Sequence, residues 1–243
     1  MFDQAWFYLV VLFIAIITVA LVYFYKKKKV DLSAVISIYV FGAILIFTVG
    51  LSWLSLLLIF FIAGNIISRY GYYVKKELSV EEKVRTAKNV WGNGGAALVF
   101  AIAYWVTTNP LALIGYLGAV AAATADTFST EVGQVHSKFP RLITKPKQRV
   151  AAGTSGGVSF FGLLAALVGS FIISATVLFF NQNLTLVALG TLAGFIGCNI
   201  DSILGATLES KYKSFNKHVV NLTASFFAGF ILILISFWLG LVF

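Results

Sequence analysis

The sequence predicts an all-α protein, a polytopic bundle of about seven to eight membrane helices with both termini on the non-cytoplasmic side. Three observations carry this. Hydrophobic residues make up 60% of the 243 positions against 11% charged, with a mean hydropathy of +0.94, too apolar for a soluble domain. The apolar runs have the length of membrane helices, and no ten-residue alternation suggests a barrel. If the runs alternate in direction, all 18 Lys and Arg fall on one side.

Eight apolar segments are read, at residues 5–25, 32–49, 51–68, 93–108, 110–130, 157–180, 184–208 and 219–243. The first follows Asp3 rather than a basic head and is too long for a signal core, so it is expected to be a retained helix. The second and third carry no nameable chemistry, and with the first they complete the bundle or shape a lipid groove. The fourth is short and polar at its start, which suggests a tilted or partly re-entrant element. The chain reads as a single integral membrane domain, 1–243, with three N-terminal helices in 1–68 and a motif-bearing core in 85–223.

The basic residues cluster at 26–29, 69–88, 138–149 and 211–217, whereas the opposite loops, near Gly50, at 107–110 and at 181–183, carry none. By the positive-inside rule the basic side is cytoplasmic. The net charge of +9 is thereby explained by topology, and nucleic-acid binding is the weaker explanation because the charge is divided among four membrane-proximal loops. A single cysteine, Cys198, excludes an intrachain disulfide and any cysteine-based metal cluster.

Against this apolar background the carboxylates Asp126, Glu131 and Asp201 fall inside predicted spans, where an ionisable residue is a functional-site hypothesis by default. Asp126 lies 16 residues after Pro110 and Asp201 lies 16 after Thr185. Both spans start outside, so both carboxylates sit about 24 Å down, near the cytoplasmic end. The oppositely directed spans begin there with Asn89 to Gly95, with Gly153-Thr154-Ser155-Gly156-Gly157, and with Asn216 to Asn221. Asp201, Gly205 and Glu209 recur every four residues and share a helix stripe. Glu131 stands about 140° from Asp126 on an ideal helix, so either the helix loosens or Glu131 serves another partner.

Carboxylates beside glycine-rich turns and basic loops suit a magnesium and phosphate site, since Mg²⁺ takes one or two carboxylates together with substrate phosphates. Gly153 to Gly157 is expected to open a helix whose free N–H groups hold phosphate oxygens, with Lys145, Lys147 and Arg149 just upstream. Arg85 and Lys88 hold the equivalent place before Asn93-Gly94-Gly95. The same glycine pairs also serve close helix packing, and neither matches a P-loop or dinucleotide fingerprint. His136 and His218 read as interfacial residues rather than ligands. Segments four and five and segments six and seven share a glycine-start, aspartate-end order that suggests a parallel repeat.

The blocks Arg85 with Asn93-Gly94, Ala125-Asp126-Thr127 to Glu131-Val132-Gly133, Gly153-Thr154-Ser155-Gly156-Gly157-Val158, Asp201-Ser202-Ile203-Leu204-Gly205-Ala206 and Asn221 together resemble the integral membrane phytyl-phosphate kinase family, which includes transmembrane protein nineteen. The resemblance implies a Mg²⁺-dependent kinase moving a phosphoryl group from a nucleoside triphosphate, CTP by preference, to a prenyl monophosphate such as phytyl or geranylgeranyl phosphate. On that reading Asp126, Asp201, Glu131 and Glu209 serve the metal. Lys147, Arg149, Gly153, Thr154, Ser155, Gly156 and Gly157 bind the nucleotide, and Arg85, Asn89, Asn93 and Asn221 bind the acceptor; the two phosphate sites are interchangeable. The alternatives are a secondary transporter of an anion or lipid phosphate, and a polyprenol kinase or lipid cytidylyltransferase. An alcohol acceptor needs a base, which Asp126 or Glu131 could supply.

Overall fold

The computed structural model describes residues 4–80, 84–212 and 214–241. It is a helical bundle: α1 (Gln4–Lys26), α2 (Leu32–Thr48), α3 (Gly50–Ile67), α4 (Tyr72–Glu77), α5 (Ala87–Thr107), α6 (Leu111–His136), α7 (Phe160–Thr176), α8 (Leu184–Leu204) and α9 (Lys217–Trp238). Six of these are long and apolar enough to cross a membrane, α3 and α5 to α9, and α1 and α2 are apolar helices beside them. Exposed aromatics at the ends of α5, α7 and α9 away from the basic loops, Trp105, Phe179 and Trp238, suit the belt at a membrane interface.

Polar side chains start the helices by accepting otherwise orphaned backbone N–H groups. Asp31 accepts from Ala34 N–H at 2.8 Å, Asn183 from Leu186 N–H at 3.1 Å, and Asn216 from His218 and Val219 N–H at 3.0 and 3.2 Å. At α5, the Asn89 side-chain oxygen reaches back to the Thr86 N–H at 2.9 Å. This reciprocal cap starts α5 at Ala87, six residues before the expected segment, so its polar beginning is regular helix rather than a re-entrant loop.

The core is built around α6, which is enclosed by α5, α7, α8 and α9, with α3 also against it. Its Ala and Gly side chains let neighbours approach closely, the usual device where lipid supplies no hydrophobic drive between helices. A Cβ on Gly118 would lie 2.9 Å from the Gly229 Cα of α9, and one on Gly194 of α8 would lie 2.9 Å from the Ala121 Cβ.

Between α6 and α7 the basic loop folds into a small antiparallel sheet that the sequence reading did not foresee. Its strands are β1 (Arg141–Leu142), β2 (Lys145–Arg149) and β3 (Gly157–Val158), in the order β2-β1-β3. Arg141 pairs with Arg149 on one side and with Val158 on the other. Helix α7 starts only at Phe160, capped by Ser159 Oγ accepting from Gly162 N–H at 3.2 Å. The glycine-rich segment 153–157 therefore does not open a helix, and its N–H groups are not those of a helix start. The suggested repeat weakens for the same reason, because Asn93-Gly94-Gly95 lies inside α5 whereas Ser155-Gly156-Gly157 lies in a turn and strand.

Candidate functional site

The basic loops meet at one end of the bundle. The Arg85 backbone exchanges hydrogen bonds with Lys29 and Asp31 (2.9 and 3.0 Å), its guanidinium donates to Ser68 Oγ at 3.1 Å, and the Tyr70 hydroxyl meets His136 Nε2 at 2.7 Å. At this end a polar cavity of about 110 Å³ opens between α6, α8, the start of α9 and the 152–159 segment.

Asp126 from α6 and Asp201 from α8 both line this cavity, as their equal distance from the outer helix starts predicted. Glu209 joins them through a change of helix pitch. After Leu204 the chain runs as π-helix over Gly205–Glu209, where an ideal α-helix would keep a four-residue stripe. Ser129, Thr130, Gln134 and Ser202 add hydroxyl and amide groups, and Lys217 supplies a cation. Gly153, Thr154, Ser155, Gly156 and Gly157 form the facing wall.

That wall is locked to α8 by glycine. Gly156 has φ +79°, a conformation that favours glycine, and a Cβ there would lie 2.7 Å from both the Ser202 carbonyl oxygen and the Ala206 N. Reciprocally, a Cβ on Gly205 would stand 3.1 Å from the Gly156 N. The Gly-Thr-Ser-Gly-Gly and Asp-Ser-Ile-Leu-Gly-Ala blocks are thus two halves of one interlock. It holds the 153–157 backbone against the Asp201 helix.

Asn221 of α9 ties the cavity to α5. Asp126, Asp201 and Asn221 share a small adjoining recess between α6, α8 and α9. With its amide turned to satisfy its neighbours, the Asn221 nitrogen donates to Asp201 Oδ2 at 3.0 Å and to the Lys217 carbonyl at 2.8 Å. Its oxygen then faces the Asn93 amide at 2.8 Å. Asn93, Asn221 and Asp201 form one relay from α5 to the carboxylate cavity.

Several expected residues fall elsewhere. Glu131 does not line the cavity; it is buried and forms an ion pair with Lys75 of α4, whose Nζ also donates to the Ser68 carbonyl at 2.7 Å. The 140° offset from Asp126 is therefore resolved by a different partner, and Glu131 stands outside the metal set. Lys147 and Arg149 lie on β2 with exposed side chains and do not line the cavity, whose cation is Lys217. Arg85, Asn89 and Asn93 line a second, apolar cavity. Among the described residues no group of three or more His, Cys, Asp or Glu is arranged to hold a metal ion. The donor set is a carboxylate pair, Asp126 and Asp201, with Glu209 in the same wall.

Lys217 and Lys75 were missed by sequence reasoning because membrane topology already accounted for them. The available signal was the position of Lys217 beside the Asn216 cap.

Fold and site together define an integral membrane protein with a carboxylate-bearing polar site at the basic end of its helical bundle. The chain belongs to the integral membrane protein family DUF92, whose profile matches residues 15–239. It is 39% identical over 229 residues to an uncharacterised membrane protein of Methanocaldococcus jannaschii, covering 93% of this chain and 95% of that one. Protein PGR of Arabidopsis thaliana is 34% identical over 229 residues, covering 82% of this chain and 79% of its own. The chloroplastic protein VTE6 of Arabidopsis thaliana is 30% identical over 173 residues, which are 67% of this chain and 52% of VTE6. These matches bear out the membership that the residue blocks implied. No solved structure matches the chain.

Proposed function

We propose that the protein is a membrane-embedded kinase that transfers the γ-phosphoryl group of a nucleoside triphosphate, CTP by preference, to a prenyl monophosphate, giving the diphosphate on the cytoplasmic side. The observation that carries the reading is the convergence of Asp126 and Asp201 on one cavity walled by the Gly-Thr-Ser-Gly-Gly segment and Lys217. The motif resemblance to phytyl-phosphate kinases supplies the acceptor class and the nucleotide.

The donor set fits Mg²⁺, which binds through one or two carboxylates plus substrate phosphates and keeps several waters. Asp126 and Asp201 would hold it, with Glu209 in the same wall, and Mg²⁺ bound there would supply neutralisation of the phosphate charge. The rest falls to the chain. The interlocked 153–157 segment and Lys217 bind the triphosphate, and Asn93 and Asn221 present the acceptor phosphate beside Asp201. An acceptor oxygen forms the bond to the γ-phosphorus while the bond from that phosphorus to the β-phosphate oxygen breaks, releasing the nucleoside diphosphate.

A phosphate monoester is already anionic near pH 7, so no general base is required and catalysis rests on positioning and charge. A carrier site is expected near the membrane midplane, whereas this cavity lies at the basic end.

The test is phosphate transfer from labelled CTP or ATP to phytyl or geranylgeranyl monophosphate with Mg²⁺, by purified protein. Wild type forms diphosphate, and Asp126→Asn and Asp201→Asn each lower the rate at least about a hundredfold while remaining folded. Folded wild type that transfers nothing from any nucleotide to any chain length would sink the reading.

A further inference from the structure

The second cavity, of about 150 Å³, lies between α1, α2, α3 and α5. Its walls are aliphatic and aromatic, among them Leu21, Ile38, Phe41, Leu45 and Phe61. The three polar side chains that line it, Arg85, Asn89 and Asn93, come from one stretch, the approach to α5 and its first two turns. That stretch is at the basic end, where the Arg85 backbone is tied to the α1–α2 connection.

We infer that this cavity seats the apolar chain of the acceptor lipid and leaves its phosphate at Arg85, Asn89 and Asn93; the identity of the lipid rests on the kinase reading above. An apolar cavity of this kind is not a place for water, so its natural occupant is hydrocarbon. The placement of charge selects the lipid. One guanidinium and two amides at a single end complement an anionic head on an apolar tail, and guanidinium suits phosphate geometry. Position does the rest. Asn93 lines this cavity and also meets Asn221, which reaches Asp201, so a phosphate held here lies at the entrance to the carboxylate cavity. The N-terminal helices thereby acquire a role: α1 to α3 form the wall that measures the chain.

Gly42 is the residue that sets the room available. It lines the cavity from α2, and a Cβ built on it meets nothing within 4 Å. A Cβ there has open room, so a larger side chain enters the space that the lipid chain would take.

The experiment uses the full chain in phosphatidylcholine nanodiscs and a geranylgeranyl monophosphate carrying a diazirine in its first isoprene units. Cross-links are expected on cavity-facing positions such as Leu45 and Phe61, displaced by unlabelled geranylgeranyl phosphate and unaffected by excess phosphatidylcholine. Gly42→Leu is expected to weaken labelling and raise the acceptor KM about tenfold or more, with the nucleotide KM changed less than about twofold. Thermal melting of Gly42→Leu confirms folding, and the wild-type cross-link map stands independently of it. Cross-links confined to other helices, displacement by phosphatidylcholine, or a folded Gly42→Leu that behaves as wild type would each overturn the inference, even if phosphate transfer is observed. Displaceable labelling of the cavity by a protein that transfers nothing would uphold the lipid site and remove the kinase.

Discussion

Lys75 and Glu131 show how much a single buried charge pair commits the protein to. Lys75 is 2% exposed, and its ammonium is held by Glu131 and the Ser68 carbonyl. Removing one member strands the other in a low-dielectric interior, which costs far more than the pair contributes. Lys75→Met should destabilise the protein by about 3–5 kcal/mol, while Lys75→Met combined with Glu131→Gln should recover most of the loss, as read from unfolding midpoints. Gly156→Ala is expected to lower stability by about 1–3 kcal/mol, because φ +79° and the Ser202 and Ala206 backbone leave no place for a methyl group. Thermal melts with and without nucleotide would measure the loss and show whether it extends to binding. Asp126 and Asp201 were legible in the sequence because helical rise alone sets their depth. The partner of Glu131 was not, since Lys75 sits on a six-residue helix whose docking on α6 only the tertiary fold decides.

Element boundaries follow capping chemistry more closely than hydropathy. The sequence located the apolar spans but began the fourth too late, at residue 93, since polarity there masked the reciprocal cap of Thr86 and Asn89. It also assigned residues 153–157 to a helix start. Their real partner is β1, 15 residues upstream at Leu142, and pairing over that distance leaves no local periodicity to read. Caps also give an element its pH response. The Ser33 hydroxyl, and then the Ala34 N–H, hold the Asp31 carboxyl below its ordinary value. A carboxylate with a depressed folded pKa contributes stability that is complete above its unfolded value, near 4, and lost as pH falls through the folded one. Wild type should therefore lose stability relative to Asp31→Asn as pH drops below about 4, the amide oxygen of Asn still accepting at the N-cap. Parallel melts of the two proteins across that range would reveal the difference, and identical pH profiles would assign the cap no electrostatic part.

At the scale of the whole molecule, every argument about chemistry depends on which side of the membrane the carboxylate cavity faces. The cavity and all the basic loops lie at one end, and nucleoside triphosphates are found in the cytoplasm, so the proposed reaction requires that end to be cytoplasmic. The protein supplies a clean way to ask. Its single cysteine, Cys198, is buried in α8, and replacing it with alanine gives a background free of other thiols. Gln148 is exposed on β2 beside the cavity end, and Gln182 is exposed in the turn between α7 and α8 at the opposite end. In sealed spheroplasts treated with a membrane-impermeant maleimide, Gln182→Cys should label from outside. Gln148→Cys should label only after the membrane is opened. The reverse pattern would place the site away from its nucleotide and refute the kinase on topology alone. Labelling of both positions from one side would mean that no helix crosses between them; α7 is the single long helix that separates them, so their opposite accessibility is the most direct check that α7 spans the membrane and that the polar cavity has one face.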